Sequence, residues 1–311
     1  MTGRALITGA AGFVGRRLAE RLRENGWGLV LSGHPAAPGM LPCDMRDGGS
    51  VARLVRDAGE ITHVFHLAAI AFVPEAENDP VRTMEVNLNG TIHLCEALRE
   101  SAAPPRLLFV GSADAYGPPQ VVPVTEDHPL NPVNTYAISK AAADHYCARL
   151  VRANTFECVR LRPFNHTGPG QPEHYVLSSF ARQIAAIEAG LHAPVVHVGN
   201  LEAARDFLHV DDVLRAYELA ALHAPPGEAY NICSGKSVRI QEALDRLLAM
   251  SAAPIEVRQD PARMRPSDVP EVRGSHEKLT AATGWRPEIE LDTLLHDLLA
   301  YWRAELGVQQ A

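Results

Sequence analysis

A chain of 311 residues with 46% hydrophobic and 21% charged residues has the composition of an ordinary globular protein with a sizeable core. Its formal net charge of -8 argues against a nucleic-acid footprint or a polybasic membrane patch, and no apolar run approaches the roughly 18 residues that span a bilayer. The cysteines Cys43, Cys95, Cys147, Cys158 and Cys233 are scattered, with no Cys-x-x-Cys pair. They predict reduced, buried thiols in a cytoplasmic protein, and the amino terminus is too short for a signal sequence.

Ala5-Leu6-Ile7 predicts a strand that stops at Thr8-Gly9-Ala10-Ala11-Gly12-Phe13-Val14-Gly15. Phe13, Val14, Leu18 and Leu22 then recur at helical spacing. Strand, glycine turn and helix in this order let a backbone approach a pyrophosphate, with the helix amino terminus facing the anion. A tight turn without a ligand is the bland alternative. Gly9, Gly12, Phe13, Val14 and Gly15 are therefore expected at a dinucleotide, in a Gly-x-x-Gly-x-x-Gly spacing that marks one branch of Rossmann proteins. The second strand, Leu29-Val30-Leu31, ends at Ser32-Gly33-His34 with no carboxylate for a ribose 2′-hydroxyl, and Arg16 is available to a 2′-phosphate. This favours NADP(H) over NAD(H).

Further on come a helix around Val51–Ala58, the strand Val64-Phe65-His66-Leu67, a helix from Val86 to Arg99 and the strand Leu107–Val110. The alternation predicts an α/β fold, a doubly wound parallel sheet whose ligands lie at the carboxyl ends of the strands. Ser112, two residues past Val110, falls on that edge. In Asn134-Thr135-Tyr136-Ala137-Ile138-Ser139-Lys140, Tyr136 and Lys140 stand four apart, on one face of a helix. A nearby ammonium is expected to acidify the phenol. A serine, a tyrosine and a lysine can polarise a carbonyl and deliver its proton, while a nicotinamide supplies the hydride. A solvated helix face is the bland reading of the Tyr/Lys pair by itself.

Arg162-Pro163-Phe164-Asn165 breaks into a Pro/Gly-rich loop, a crossing into a second lobe. A helix starting at Ser178, a strand at Val195–Val198, a helix from Val210 and a strand at Ala229–Ile232 follow. Helices at Ile240–Met250 and Leu291–Leu306 flank the strand Ile255–Val257. The expected division is a dinucleotide-binding Rossmann domain of residues 1–165 plus 206–236, and a smaller α/β substrate-binding lobe of residues 166–205 plus 237–311. Arg205 and Arg265 each suit a diphosphate, although an arginine beside an aspartate, as in Arg205-Asp206, is also a common surface pair. The histidines form no metal-ligand cluster, so no metal is expected.

Taken together, Gly9/Gly12/Gly15, His66-Leu67-Ala68-Ala69, Asn87 with Gly90-Thr91, Ser112 ahead of Tyr116-Gly117, Tyr136/Lys140 and Arg162-Pro163-Phe164-Asn165 resemble the extended short-chain dehydrogenase/reductases that act on nucleotide sugars. The resemblance covers nearly the whole chain. It implies Tyr136 as acid/base, Ser112 as its partner and Lys140 also on the nicotinamide ribose. It puts Asp44 near the adenine, with Leu67, Ala68, Ala69 and Asn87 along the cofactor. Within that family the carboxyl half looks like the GDP-4-dehydro-6-deoxy-D-mannose reductases and, less closely, the GDP-mannose 4,6-dehydratases. The implied reaction is reduction of a GDP-linked 4-ketosugar to GDP-D-rhamnose, with Asn165, Gln183, Arg205 and Arg265 at the substrate. Asp114 stands where the dehydratases carry a glutamate, which keeps dehydration open as an alternative. GDP-6-deoxy-D-talose or a GDP-heptose product, C4 epimerisation and a non-enzymatic dinucleotide sensor are the others. The resemblance further implies a homodimer through helices 87–99 and 136–151.

Overall fold

Short apolar runs alternating with amphipathic helices build a parallel sheet because each strand must cover both of its faces. The computed structural model describes residues 3–153, 156–264 and 269–308. Its strands are β1 (Arg4–Thr8), β2 (Gly28–Gly33), β3 (Leu41–Pro42), β4 (His63–His66), β5 (Arg106–Val110), β6 (Cys158–Pro163), β7 (Asn165–Thr167), β8 (Val195–Val198), β9 (Ala204–His209), β10 (Ala229–Ile232), β11 (Ser237–Arg239), β12 (Glu256–Gln259) and β13 (Glu271–Val272). The helices are α1 (Phe13–Glu24), α2 (Gly48–Ala58), α3 (Val73–Asn78), α4 (Pro80–Met84), α5 (Gly90–Arg99), α6 (Thr135–Arg152), α7 (Val176–Glu188), α8 (Val210–His223), α9 (Ile240–Ala249), α10 (Glu277–Thr283) and α11 (Leu291–Glu305).

The main sheet has the order β10-β6-β5-β4-β1-β2-β3, every pair parallel. This is the doubly wound α/β fold expected from the sequence. The chain leaves β1 in one direction for β2 and in the other for β4, so a crevice opens at their carboxyl ends. Period-two alternation sorts the side chains: Ile7 and Leu108 pack with Leu18, Leu22, Tyr217 and Trp285 on one face. Leu6 and Phe109 pack with Leu54, Leu94, Leu98 and Cys147 on the other.

The second lobe has its own core, in which Phe180, Ile184, Val196, Leu244, Leu247, Leu295 and Leu298 are buried together. It is organised by the sheet of β7, β9, β11 and β13 and by the β8–β12 pair. Between these lobe segments and α11 the chain returns to the Rossmann core. Leu279 and Trp285 are buried there, and the Trp285 indole N–H donates to the Asp212 carbonyl at 3.0 Å.

One predicted helix is built differently. The stretch expected to run unbroken from Val86 to Arg99 begins as a single π turn, Glu85–Asn89, before α5. The buried Asn87 explains the wider turn: its amide accepts from the Ile70 N–H at 2.8 Å and donates to the Ile70 carbonyl at 3.0 Å. All five cysteines are free and buried. No helix among the described residues is long and apolar enough to cross a membrane.

Candidate functional site

The glycine turn is set by contacts that leave no room for side chains. Gly9 adopts φ +69°, and a Cβ there would lie 2.7 Å from the Ala68 nitrogen; a Cβ on Gly15 would overlap the Gly9 carbonyl oxygen. The helix that follows has glycine at its N-cap, no capping side chain and no acidic residue in its first turn. Its first N–H groups, those of Phe13, Val14 and Gly15, therefore have no partner within the helix. A turn held tight by its glycines, ahead of uncapped amides, fits the diphosphate of a dinucleotide. Asp44, half-exposed past β3, has its carboxyl held down to about 2 by the Arg46 guanidinium, which binds both of its oxygens. Arg16 is exposed on α1, near enough to the Tyr301 phenol on α11 to stabilise its ionised form.

Beneath the turn runs a buried chain of hydrogen bonds. The His66 Nδ1 meets the Thr8 hydroxyl at 2.8 Å and its Nε2 meets the Thr91 hydroxyl at 3.0 Å. Because Thr91 donates its own proton to the Asn87 carbonyl, Nε2 must be the donor and Nδ1 the acceptor. Burial, then the charge of Lys140, pushes the imidazole down to about 3, so it stays neutral. Asn87 in turn donates to the Ser139 hydroxyl at 2.9 Å, and Ser139 donates to the Tyr136 carbonyl at 2.7 Å. The edge of β4, where Leu67, Ala68 and Ala69 abut the glycine turn, is thus tied to α6. In sequence, His66 and Asn87 are equally consistent with a strand cap and a turn residue; in the fold they are consecutive links.

Asn134 caps α6, its side chain accepting from the Ala137 N–H at 2.8 Å, and starts the helix that presents Tyr136 and Lys140. Both are buried, as is Ser112. The Ser112 hydroxyl lies close enough to the Tyr136 phenol to favour its ionised form. The expected acidification of Tyr136 is not what the structure contains. Burial first, and the Asp114 carboxylate second, raise the phenol above its ordinary range, and only the nearby Ser112 hydroxyl lowers it. Lys140 instead donates to the Val110 carbonyl at 2.7 Å, above the Phe109 ring.

Burial brings the Lys140 ammonium down to about 8 from its ordinary 10.5. Below pH 8 the lysine is charged in folded and unfolded chains alike, and the folded state bears the full cost of the buried charge. That cost is relieved as pH rises from about 8 towards 10.5. In the absence of nucleotide, Lys140→Met is expected to raise the melting temperature at pH 7 while sharply lowering turnover. Thermal melts across pH check this, and a lower melting temperature than wild type at pH 7 would contradict it.

The residues expected at the substrate are distributed more widely. Asp114 is exposed beside the Ser112–Tyr136 pair, and its charge acts on the phenol. Asn165 is exposed at the start of β7. Gln183 grips the backbone of β8, donating to the His197 carbonyl and accepting from its N–H. Arg205, half-buried, donates to the carbonyls of Ala204 and Val269. Arg265 lies outside the described residues. An aromatic group missed by sequence reasoning lies near Tyr136. Phe72 packs on His174 at 4.2 Å and on Tyr175 at 5.8 Å, and Tyr175 is close enough to act electrostatically on Tyr136. Their aromatic type was the only local signal, because they are about a hundred residues apart in the chain. Among the described residues, no group of three or more His, Cys, Asp or Glu is placed to hold a metal ion.

The family model described as GDP-mannose 4,6 dehydratase matches residues 6–298. The GDP-6-deoxy-D-mannose reductase of Pseudomonas aeruginosa is 37% identical over 310 residues, spanning 98% of this chain and 99% of that protein. Among solved structures, RMD from Pseudomonas aeruginosa complexed with NADPH superposes with a TM-score of 0.89 at 36% identity, over 97% of this chain and 99% of that one. The Thermus thermophilus UDP-glucose 4-epimerase complexed with NAD does so with a TM-score of 0.84 at 30% identity, over 96% and 99%.

Proposed function

We propose a function from the premise that this chain belongs to the GDP-mannose 4,6 dehydratase family: it reduces the C4 ketone of GDP-4-dehydro-6-deoxy-D-mannose to GDP-D-rhamnose, with NADPH and, as the alternative, NADH. The observation that carries this reading is the buried pairing of Ser112 and Tyr136, close to each other at the strand ends beside the glycine turn. The reductase of 37% identity and the NADPH-bound neighbour support the substrate and the cofactor.

When bound, the nicotinamide supplies the hydride that no side chain can. The chain's own residues do the rest. Gly9, Gly12, Phe13, Val14 and Gly15 hold the diphosphate, with Arg16 and Asp44 at the adenosine end and Leu67, Ala68, Ala69 and Asn87 along the crevice. Tyr136, protonated at neutral pH because it is buried, gives its proton to the C4 oxygen, and Ser112 donates a hydrogen bond to that oxygen. Lys140 reaches the ribose from the same helix. Arg205 and Arg265 serve the GDP-sugar from the lobe of residues 166–205 and 237–311, and Asn165 from the strand that crosses into it, while Gln183 holds β8 in place. The reading includes a cytoplasmic homodimer. The free, buried thiols support the compartment, and the outward Ile138 of α6, 42% exposed, supports an apolar contact between copies.

A second reading, 4,6-dehydration, is favoured by one observation: the Asp114 carboxylate is close enough to act on Tyr136. One experiment separates the two. Protein mixed with the ketosugar and NADPH is expected to consume nicotinamide absorbance, and with GDP-mannose alone to release no ketosugar. The absence of oxidation with NADPH and with NADH would sink the reductase, and a ketosugar made from GDP-mannose would establish the dehydratase. NMR of the reduced sugar assigns the C4 configuration, rhamno or talo, and distinguishes a 6-deoxyhexose from a heptose.

A further inference from the structure

The three reacting side chains come from two separate elements. Tyr136 and Lys140 ride on α6, whereas Ser112 opens the short 3-10 turn Ala113–Tyr116 and accepts from the Asp114 N–H at 3.1 Å. The turn packs directly against α6. A single buried side chain bonds to both. Arg162, on β6, donates through Nε and Nη2 to the two carboxylate oxygens of Asp144, at 2.9 and 3.0 Å. Asp144 lies one helical turn beyond Lys140 on α6. The third nitrogen, Nη1, donates to the Tyr116 hydroxyl at 2.9 Å, and the guanidinium lies over the Tyr116 ring at 5.1 Å.

Tyr116 is the last residue of the turn that Ser112 begins. The turn closes at Gly117, φ +65°, where any Cβ would overlap the Asn131 carbonyl oxygen, so the turn has no slack on that side. The Tyr116 hydroxyl donates a hydrogen bond to the Asn231 amide oxygen at 2.7 Å, and Asn231 is itself anchored by Glu126 and Val124. Arg162, Asp144, Tyr116 and Asn231 are all at most 5% exposed.

We propose that Arg162 is a positioning residue: its guanidinium fastens the turn that carries Ser112 to the helix that carries Tyr136 and Lys140, and so sets the spacing of Ser112 from Tyr136. The proposal rests on the reductase reading for its kinetic consequence, but not for its geometry. A planar fork with donors in fixed directions can bridge a carboxylate and a hydroxyl at once, which a lysine cannot. The Asp144 carboxylate, although buried, is held below its ordinary range by Arg162 and by Arg160, which donates to it at 2.7 Å. The bridge therefore stays ionised at neutral pH. Displacement of a reacting group by about 1 Å costs roughly a hundredfold in rate, so a fastener need only slip slightly to be felt.

Removing Arg162 would leave the buried Asp144 carboxylate to Arg160 alone and endanger folding. The informative variant is Tyr116→Phe, which keeps the ring under the guanidinium and deletes only the hydroxyl. With the ketosugar and NADPH, it is expected to lower kcat by about ten- to a hundredfold while leaving NADPH affinity unchanged. In a Ser112→Ala background the same change should have almost no further effect, because the residue acts through Ser112. An equal loss in both backgrounds, or no loss in kcat, overturns the proposal. A second readout needs no substrate. In protein labelled with 13C at the tyrosine ring, the Tyr136 resonance, identified by its loss in Tyr136→Phe, should shift in Tyr116→Phe in the same direction as in Ser112→Ala. If it does not move, the proposal fails whatever the protein reduces; if it moves and the wild type reduces no GDP-ketosugar, the positioning role stands and the substrate reading falls.

Discussion

Tyr136→Phe is expected to lower kcat by about 10²–10⁴-fold, the range lost when a positioned proton donor is removed, and to leave NADPH binding nearly intact. The separation of the two effects follows from how the ring is held. The aromatic body packs against Ile70 and Ala76 in a small apolar cluster, and phenylalanine fills the same space. Only the hydroxyl, on which Ser112 acts, is lost. The phenol is raised by burial and by Asp114 rather than lowered by Lys140, so the resting group is an acid, ready to protonate a developing alkoxide. Single-turnover reduction of the ketosugar measures the first effect and a fluorescence titration with NADPH the second. A loss of NADPH affinity matching the loss of rate would contradict the role given to the hydroxyl.

Gly15→Ala is the second large effect, and it acts at the opposite side of the crevice. Gly15 stands in the first turn of α1, where alanine is ordinarily the better helix former. Space, not backbone angle, is the obstacle. The added methyl would overlap the Gly9 carbonyl oxygen and stand 2.8 Å from the Ala10 Cα. Gly9 cannot retreat, because it already lies against Ala68. Overpacking of this kind costs about 1–3 kcal/mol, and here it displaces the turn that cradles the diphosphate. NADPH affinity is therefore expected to fall by roughly ten- to a hundredfold, with a lower melting temperature. Calorimetric titration measures the affinity; wild-type binding by the variant would show that the turn does not hold the cofactor.

The parts of this protein that were legible in its sequence are those in which the relevant forces act between near neighbours. β1, the glycine turn and α1 occupy one short run of chain, and their glycines, apolar strand and helical spacing all report the same local geometry. The Tyr136–Lys140 pair is likewise one turn of one helix, and Asn134 caps that helix from its own end. Parallel order followed from alternation, because a buried sheet demands apolar strands and covering helices.

Other features carried no such signal. Asp144 and Lys140 are charged residues on a helix, and a reading by periodicity would turn them to solvent; both are buried because β5 and β6 supply a carbonyl and two guanidinium groups. Asn87 widens a helical turn only because Ile70, seventeen residues earlier, offers both of its backbone groups. Gln183 reads as a lobe residue facing a sugar until β8 is brought alongside α7 and takes up its amide. The Tyr136 phenol shifts opposite to expectation for the same reason: an ammonium one turn away is a local fact, but the loss of water around the phenol belongs to the closed crevice. The sequence alone determined which chemical groups this protein owns and on which elements they ride. The tertiary structure decided what surrounds them, because burial, the direction of a lysine and the spacing of Ser112 from Tyr136 are set by groups brought together from distant parts of the chain.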